Sequence, residues 1–382
     1  MLHVAQSSFD FSTFVLITIA VISSVLSYEV GVDYHSCGAN FVQTAFLTQY
    51  HNSTVRAIVL TQLQGMANKG AHFVTLDIWF GVEPNTTNDQ YWLATFPISR
   101  QEQINLHQYA LDVASIQSQI DQHRLRLNVA LFWLAAADYR VGNSSSGYGP
   151  DHLNATVFTA RVEKITDDII AAVSNVKRSD GVLVVERVYL DYEVMIGAKL
   201  NQDWFLQTHY PRFLRVVAAA GFTPSLYFLV DAKEAYILDA SYIDPQYPAL
   251  NGHRCMYWVY RSLKFLNDVQ LPLPTRIDFS CYIDRNSSTY AHLVNHVLND
   301  ADAALSTLGA PKFYGVAETY YFANSTQRRE YGQAFALEAM ANPRLNHLRF
   351  WTTPDAGGKG VHIGYPFEIE DYLPPSDIRQ LL

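Results

Sequence analysis

The sequence predicts an α/β protein built as one catalytic domain, a (β/α)8 or TIM barrel, and three observations lead there. Eight short β-branched or aromatic runs alternate with seven segments of helical periodicity between residues 31 and 351. No stretch between them has the composition of an interdomain linker. Strict alternation implies parallel strands joined by right-handed crossovers, and eight such units close on themselves. An open doubly wound sheet is the alternative. It lacks support, because no glycine-rich phosphate loop follows the first run, where Gly38 stands alone.

The elements follow in order. Residues 31–35 read as a first strand. Residues 54–70 carry one helical face (Val55, Ile58, Val59, Leu63, Met66) and stop at Gly70. The second strand, 72–79, ends in Asp77 and Trp79, which share a face because strand residues alternate. A helix is expected over 100–124, then a third strand over 127–133 that ends in Trp133 and leads into a Gly/Ser-rich loop at 142–150. Helical spacing returns over 156–177, and the fourth strand leads in from Val182 to Asp191 and Glu193. A helix over 204–221 stops at Gly221 and precedes a strand at 224–230. The pattern repeats with a helix at 253–266, a strand at 276–282 and a helix at 289–308 that closes at Gly309. The seventh strand, 312–317, runs into Glu318; a helix at 327–341 and a strand at 348–351 complete the set.

With 49% hydrophobic residues among 382, the chain can bury a large core. Its net charge of −9 and lack of a basic patch argue against nucleic acid as a partner. Residues 14–26 form an apolar run too short to span a bilayer comfortably, and Val25 and Ser27 suit the small-residue positions before a cleavage site. Residues 1–27 therefore read as a signal peptide and 28–382 as the barrel domain. The stretch before the apolar run has no Lys or Arg, so an uncleaved membrane anchor is the alternative. Six glycosylation sequons follow, at Asn52, Asn85, Asn143, Asn154, Asn286 and Asn324, all in segments read as loops or helix edges. Together these features describe a secreted, extracellular glycoprotein. Of the three cysteines, Cys37, Cys255 and Cys281, two are expected to form a disulfide; Cys255 and Cys281 are closer in sequence, but the sequence does not choose.

A barrel of this kind builds its site at the C-terminal ends of the strands. Those ends carry Asp77, Trp79, Trp133, Asp191, Glu193, Tyr282, Glu318, Tyr320 and Trp351. No HxH motif suggests a metallohydrolase, and no GxSxG suggests a nucleophilic serine. Aromatic plates with several carboxylates suit a sugar: rings stack on pyranose faces while acids bond hydroxyls or do chemistry.

Glu193 ending strand four, Glu318 ending strand seven (GVAETYY) and Trp351 ending strand eight (RFW) resemble the layout of clan A glycoside hydrolases over roughly residues 28–355. The resemblance implies that Glu193 is the acid/base, Glu318 the nucleophile of a retaining reaction, and Trp351 the floor of a sugar subsite. It also implies that Tyr282 bonds Glu318. Asp77, Trp79, Trp133, Asp191 and Tyr320 are expected to line the substrate from their places at the strand ends. One position departs from the clan, which has Asn before the acid/base where this chain has Tyr192. The LDYE run also resembles the strand-four end of family 18 chitinases, which would make Glu193 the acid and Asp191 the group that orients a substrate acetamide. A third reading is an inactive secreted barrel that binds glycan or serves as a structural protein. The expected partner is carbohydrate, no metal or organic cofactor is called for, and the oligomeric state is left open.

Overall fold

The computed structural model describes residues 29–33, 49–80, 98–133, 155–191, 206–228, 230, 241–274, 276–281, 293–309, 313–320 and 345–351. The strands are β1 (Glu29–Asp33), β2 (Phe73–Phe80), β3 (Arg126–Trp133), β4 (Val185–Asp191), β5 (Thr223–Phe228), β6 (Arg276–Cys281), β7 (Phe313–Tyr320) and β8 (Leu345–Trp351). Each pairs in parallel with the next, and β8 pairs with β1, so the sheet is a closed eight-stranded barrel. The described crossover helices are α1 (Ser53–Asn68), α2 (Arg100–Ser115), α3 (Ala155–Val173), α4 (Tyr210–Ala219), α5 (Tyr257–Asp268) and α6 (Leu293–Leu305). The helix expected over 327–341, and residues 1–27, lie outside the described residues.

Local chemistry explains where the helices begin. Asn52 caps α1 by accepting from the Thr54 amide at 2.9 Å. Ser99 and Glu102 form a reciprocal capping box at the start of α2, each side chain bonding the other's backbone amide. Helix ends depart from the sequence reading in two places. The helix expected to reach 124 stops at Ser115, because Ile116 adopts an extended conformation and 116–125 fold back through a Gln117–Arg124 bridge. The helix expected to reach 177 stops at Val173, followed by the same device, a Lys177–Leu183 bridge with Gly181 at φ 83°. Apolar residues in both turns had extended the helical periodicity past the true ends.

Strand residues divide between two surroundings. Facing the helices are Leu76, Leu127, Val129, Val188, Leu190, Leu226, Ile277 and Leu348, which join helix residues such as Leu106, Ile169, Phe213 and Leu263 in one aliphatic layer. Each fully buried side chain of this kind contributes about 1.5–3 kcal/mol by leaving water. Alternate positions point into the barrel. The proof is Arg349 on β8, whose guanidinium lies 5.4 Å from the Tyr189 ring centroid on β4 and 5.6 Å from that of Tyr227 on β5. β8 and β4 are four strands apart in either direction, so that contact crosses the lumen. At the N-terminal end Phe73 fills the space a side chain at Gly31 would need. Arg126 there joins the first strand to the fourth, through Glu29 and, at 2.7 Å, Glu186.

Candidate active site

The sequence-predicted residues that the structure describes lie toward the C-terminal ends of the parallel strands, where their positions follow from backbone register. Trp79 pairs with Phe132, Phe132 with Asp191, Asp191 with Tyr227, and Tyr227 with Asp278, a continuous row across five strands. One row toward the N-termini, Asp77 pairs with Ala130, Ala130 with Tyr189, and Tyr189 with Ser225. Trp133 is the last residue of β3, in register with Phe80. Tyr320 is the last residue of β7 and pairs with Trp351, the last of β8, which pairs in turn with Asp33. Glu193 and Tyr282 lie outside the described residues, just past the ends of β4 and β6.

Glu318 sits at an irregularity. On the β6 side, Phe279 pairs with Val316 and the next residue, Ser280, with Glu318, which leaves Ala317 as an extra residue in β7. On the β8 side the register also slips between Val316 and Thr319. A bulge of this kind bends the strand and re-aims the residues beside it, and bulges recur at barrel rims next to active sites. β7 lies three strands from β4 one way round and five the other, so the Glu318 and Asp191 positions stand nearly across the mouth from each other.

In and beneath that row is a buried polar cluster that the sequence did not single out: Tyr189, Tyr227, Ser225, Arg276, Asp278 and Arg349. Asp278 accepts from the Ser225 hydroxyl and pairs with Arg276 Nε at 3.2 Å. Burial, reinforced by the Asp278 charge, pushes the Tyr189 hydroxyl up to about 12, so it remains a neutral phenol with a proton to donate. Both rings under Arg349 lie within the range of a cation–π contact. The signal for this cluster was present in the strands as polar or charged residues at every second position, in a sheet whose two faces are both covered.

Among the described residues no group of His, Cys, Asp and Glu is arranged to hold a metal ion. Of the sequons, Asn52 is exposed at the head of α1; Asn85, Asn143, Asn154, Asn286 and Asn324 lie outside the described residues, as does Cys37. Cys255 corrects the disulfide expectation for its own pairing. It is buried against α6 as a thiol that donates to Asp300 Oδ2 at 3.1 Å, so no Cys255–Cys281 bridge forms.

No protein-family model matches the chain. No curated protein matches its sequence. Solved structures do share its fold. A glycoside hydrolase family 5 mannosidase from Rhizomucor miehei, in complex with mannosyl-fructose, is 12% identical over 85% of this chain and 81% of that one, with a TM-score of 0.50. A GH26 β-mannanase from Bacteroides ovatus is 12% identical over 81% and 79%, with a TM-score of 0.46. Xylanase 10B from Thermotoga maritima is 12% identical over 87% and 85%, with a TM-score of 0.42. These belong to clan A, the group whose layout the strand ends resemble. The shared property is the (β/α)8 barrel.

Proposed function

We propose that the chain is a secreted glycoside hydrolase that cleaves a poly- or oligosaccharide by a retaining mechanism. The observation that carries the reading is the β7 bulge immediately before Glu318, on a strand nearly across the mouth from the end of β4. Bulges at a barrel rim re-aim the residues beside them, and the residue that follows this one is Glu318. The clan A fold of the mannosidase is consistent with that use, and the exposed sequon at Asn52 suits a glycoprotein.

In this mechanism Glu318 attacks the anomeric carbon as Glu193 protonates the departing glycosidic oxygen, which leaves a glycosyl ester on Glu318. Glu193, now a carboxylate, takes a proton from water, and the water attacks the anomeric carbon and frees Glu318. Such pairs stand about 5 Å apart. The proposed stacking surfaces are Trp79, Tyr320 and Trp351 and the proposed hydroxyl acceptors Asp77 and Asp191; Trp133 occupies the same alternation as Leu127 and Val129, the helix-facing positions of β3, and drops out of the set. The resemblance to clan A gives Tyr282 the role of hydrogen-bonding Glu318 and keeping it ionised.

The test is turnover of the mature protein and its Glu318→Ala variant on aryl β-glycosides, β-mannan, xylan and chitin oligosaccharides. The variant is expected to lose roughly 10³-fold or more in kcat/KM, and added azide should restore turnover by taking the nucleophile's place. Turnover confined to N-acetylated sugars and indifferent to the variant would move the chemistry to Asp191 and Glu193. A folded protein inert on every substrate would overturn the enzymatic reading.

A further inference from the structure

Deep in the barrel, three polar side chains stand side by side on consecutive strands. Thr75 on β2 pairs with Asn128 on β3, and Asn128 with Arg187 on β4. Thr75 and Asn128 are fully buried and Arg187 is 5% exposed. The row lies two residues below Asp77, Ala130 and Tyr189, which places it in the lumen beneath the rim. It is set by a second bulge: Leu127 pairs with Val185 and the next residue, Asn128, with Arg187, so Glu186 is an extra residue and Arg187 is brought alongside Asn128.

Four atoms of this row have no hydrogen-bond partner: Thr75 Oγ1, both amide atoms of Asn128, and Arg187 Nη1. Burying such groups unpaired costs free energy that native proteins rarely bear, least of all three times in adjacent positions. Arg187 is only half engaged, because its Nη2 is held by Glu186 at 2.7 Å while its buried Nη1 has no hydrogen-bond partner. Glu186 is itself shared with Arg126. Charge points the same way. Among the described lumen side chains that are nine-tenths buried or more, three are guanidiniums (Arg187, Arg276, Arg349) and one is a carboxylate (Asp278).

We propose that the Thr75–Asn128–Arg187 row is a binding site for a small inorganic anion of the halide class. Its donors are the Thr75 hydroxyl, the Asn128 Nδ2 hydrogens and the Arg187 Nη1 hydrogens. The Asn128 carbonyl oxygen is then left to accept from one water bound beside the anion. A halide suits the row better than a larger oxyanion, because Phe73 and Tyr189, two residues away on β2 and β4, are bulky and fully buried. The strands that carry the row also carry Asp77, Trp133 and Asp191 to the rim, so a bound anion ties together the strands beneath one side of the candidate active site.

The test is the thermal midpoint of the full-length mature protein in chloride, bromide or gluconate at fixed pH and ionic strength. Chloride and bromide are expected to raise the midpoint saturably by roughly 1–3 °C over gluconate, as a ligand bound only by the folded state does. Asn128→Asp keeps the shape but places a carboxylate against the anion and beside Arg187, and should abolish the difference. Thr75→Val removes one donor and should shift saturation to several-fold higher chloride. Should Asn128→Asp fail to fold, Thr75→Val and an anomalous bromide peak between Asn128 and Arg187 in crystals grown from bromide carry the test. Equal midpoints in all three salts, a non-saturating rise shared by the variants, or ordinary water at that position would overturn the proposal.

Discussion

The two faces of the barrel strands solve the same burial problem in opposite ways. Outside, Leu76, Val129, Leu190 and Ile277 meet the helices in an aliphatic layer that needs no partners beyond close packing. Inside, where barrels of this class usually stack Val, Ile and Leu, this one holds Tyr189, Tyr227, Asn128, Asp278 and three arginines. The outer layer gains from area and tolerates any shape that fits. The lumen gains little from area and depends on each polar group meeting its counterpart, so its residues constrain one another more tightly. Stability is thus carried mainly by the outer layer, and the lumen fixes the geometry under the rim.

That division is open to direct attack. The largest effect is expected at Asp278. Its replacement by Ala strips Arg276 of a buried partner and Ser225 of its acceptor, and should lower unfolding free energy by about 3–5 kcal/mol in urea titrations. Replacing the pair together, Asp278→Leu with Arg276→Met, should recover most of that loss, as paired removal of buried ions often does. Failure to recover would show that the lumen pair contributes to stability in its own right. In the outer layer, Leu190→Ala should cost about 2–4 kcal/mol through lost burial and a residual cavity, measured the same way and with no partner substitution able to repair it.

The smallest effect concerns a titratable group outside the lumen, His209, buried at the head of α4 beside Phe213. Burial, with help from the Arg212 charge, depresses its imidazole to about 3. The sign follows from linkage. Above the ordinary histidine value near 6.5, folded and unfolded chains both carry neutral His209. As pH falls from there toward 3 only the unfolded chain takes the proton, so stability declines across that window. At pH 5.5 the loss should be about 1 kcal/mol, and His209→Phe should flatten this part of the pH–stability curve. An unchanged acid slope in the variant would assign the decline to other groups.

The outer layer was legible in the sequence because its aliphatic residues recur with strand and helix periods. Six of the seven helical segments and all eight strands read from that pattern are present among the described residues, and the glycine stops at Gly70, Gly221 and Gly309 are at positive φ. The lumen was not legible in the same way. A polar residue in a strand can face solvent or the inside of a barrel, and only closure decides which. Glu186 and Arg187 show the difficulty, since one inserted residue sends Arg187 inward and leaves Glu186 on the N-terminal rim. The strand-end positions of Asp77, Trp79, Asp191, Glu318, Tyr320 and Trp351 could be anticipated because carboxylates and aromatics close the β-branched runs there. The bulge that distinguishes Glu318 is a relation between three strands, and no local signal in GVAETYY records it. The pairing of the cysteines was left open for a related reason: proximity in sequence to Cys281 carries no information about Asp300, the neighbour of Cys255 in the fold.

The seam between the first and last strands has a consequence for synthesis. β1 pairs along all five of its residues with β8, from Glu29 with His347 to Asp33 with Trp351, but over only three with β2. A chain emerging from the ribosome therefore completes its barrel only after residue 351 has left the exit tunnel. Until then β1 and the most recently made strand present open edges, the kind of surface on which nascent chains associate. The interval is longest for the N-terminal segment, which waits through the translation of every other strand. Chaperone engagement during translation should accordingly persist until β8 is available and fall once it has docked.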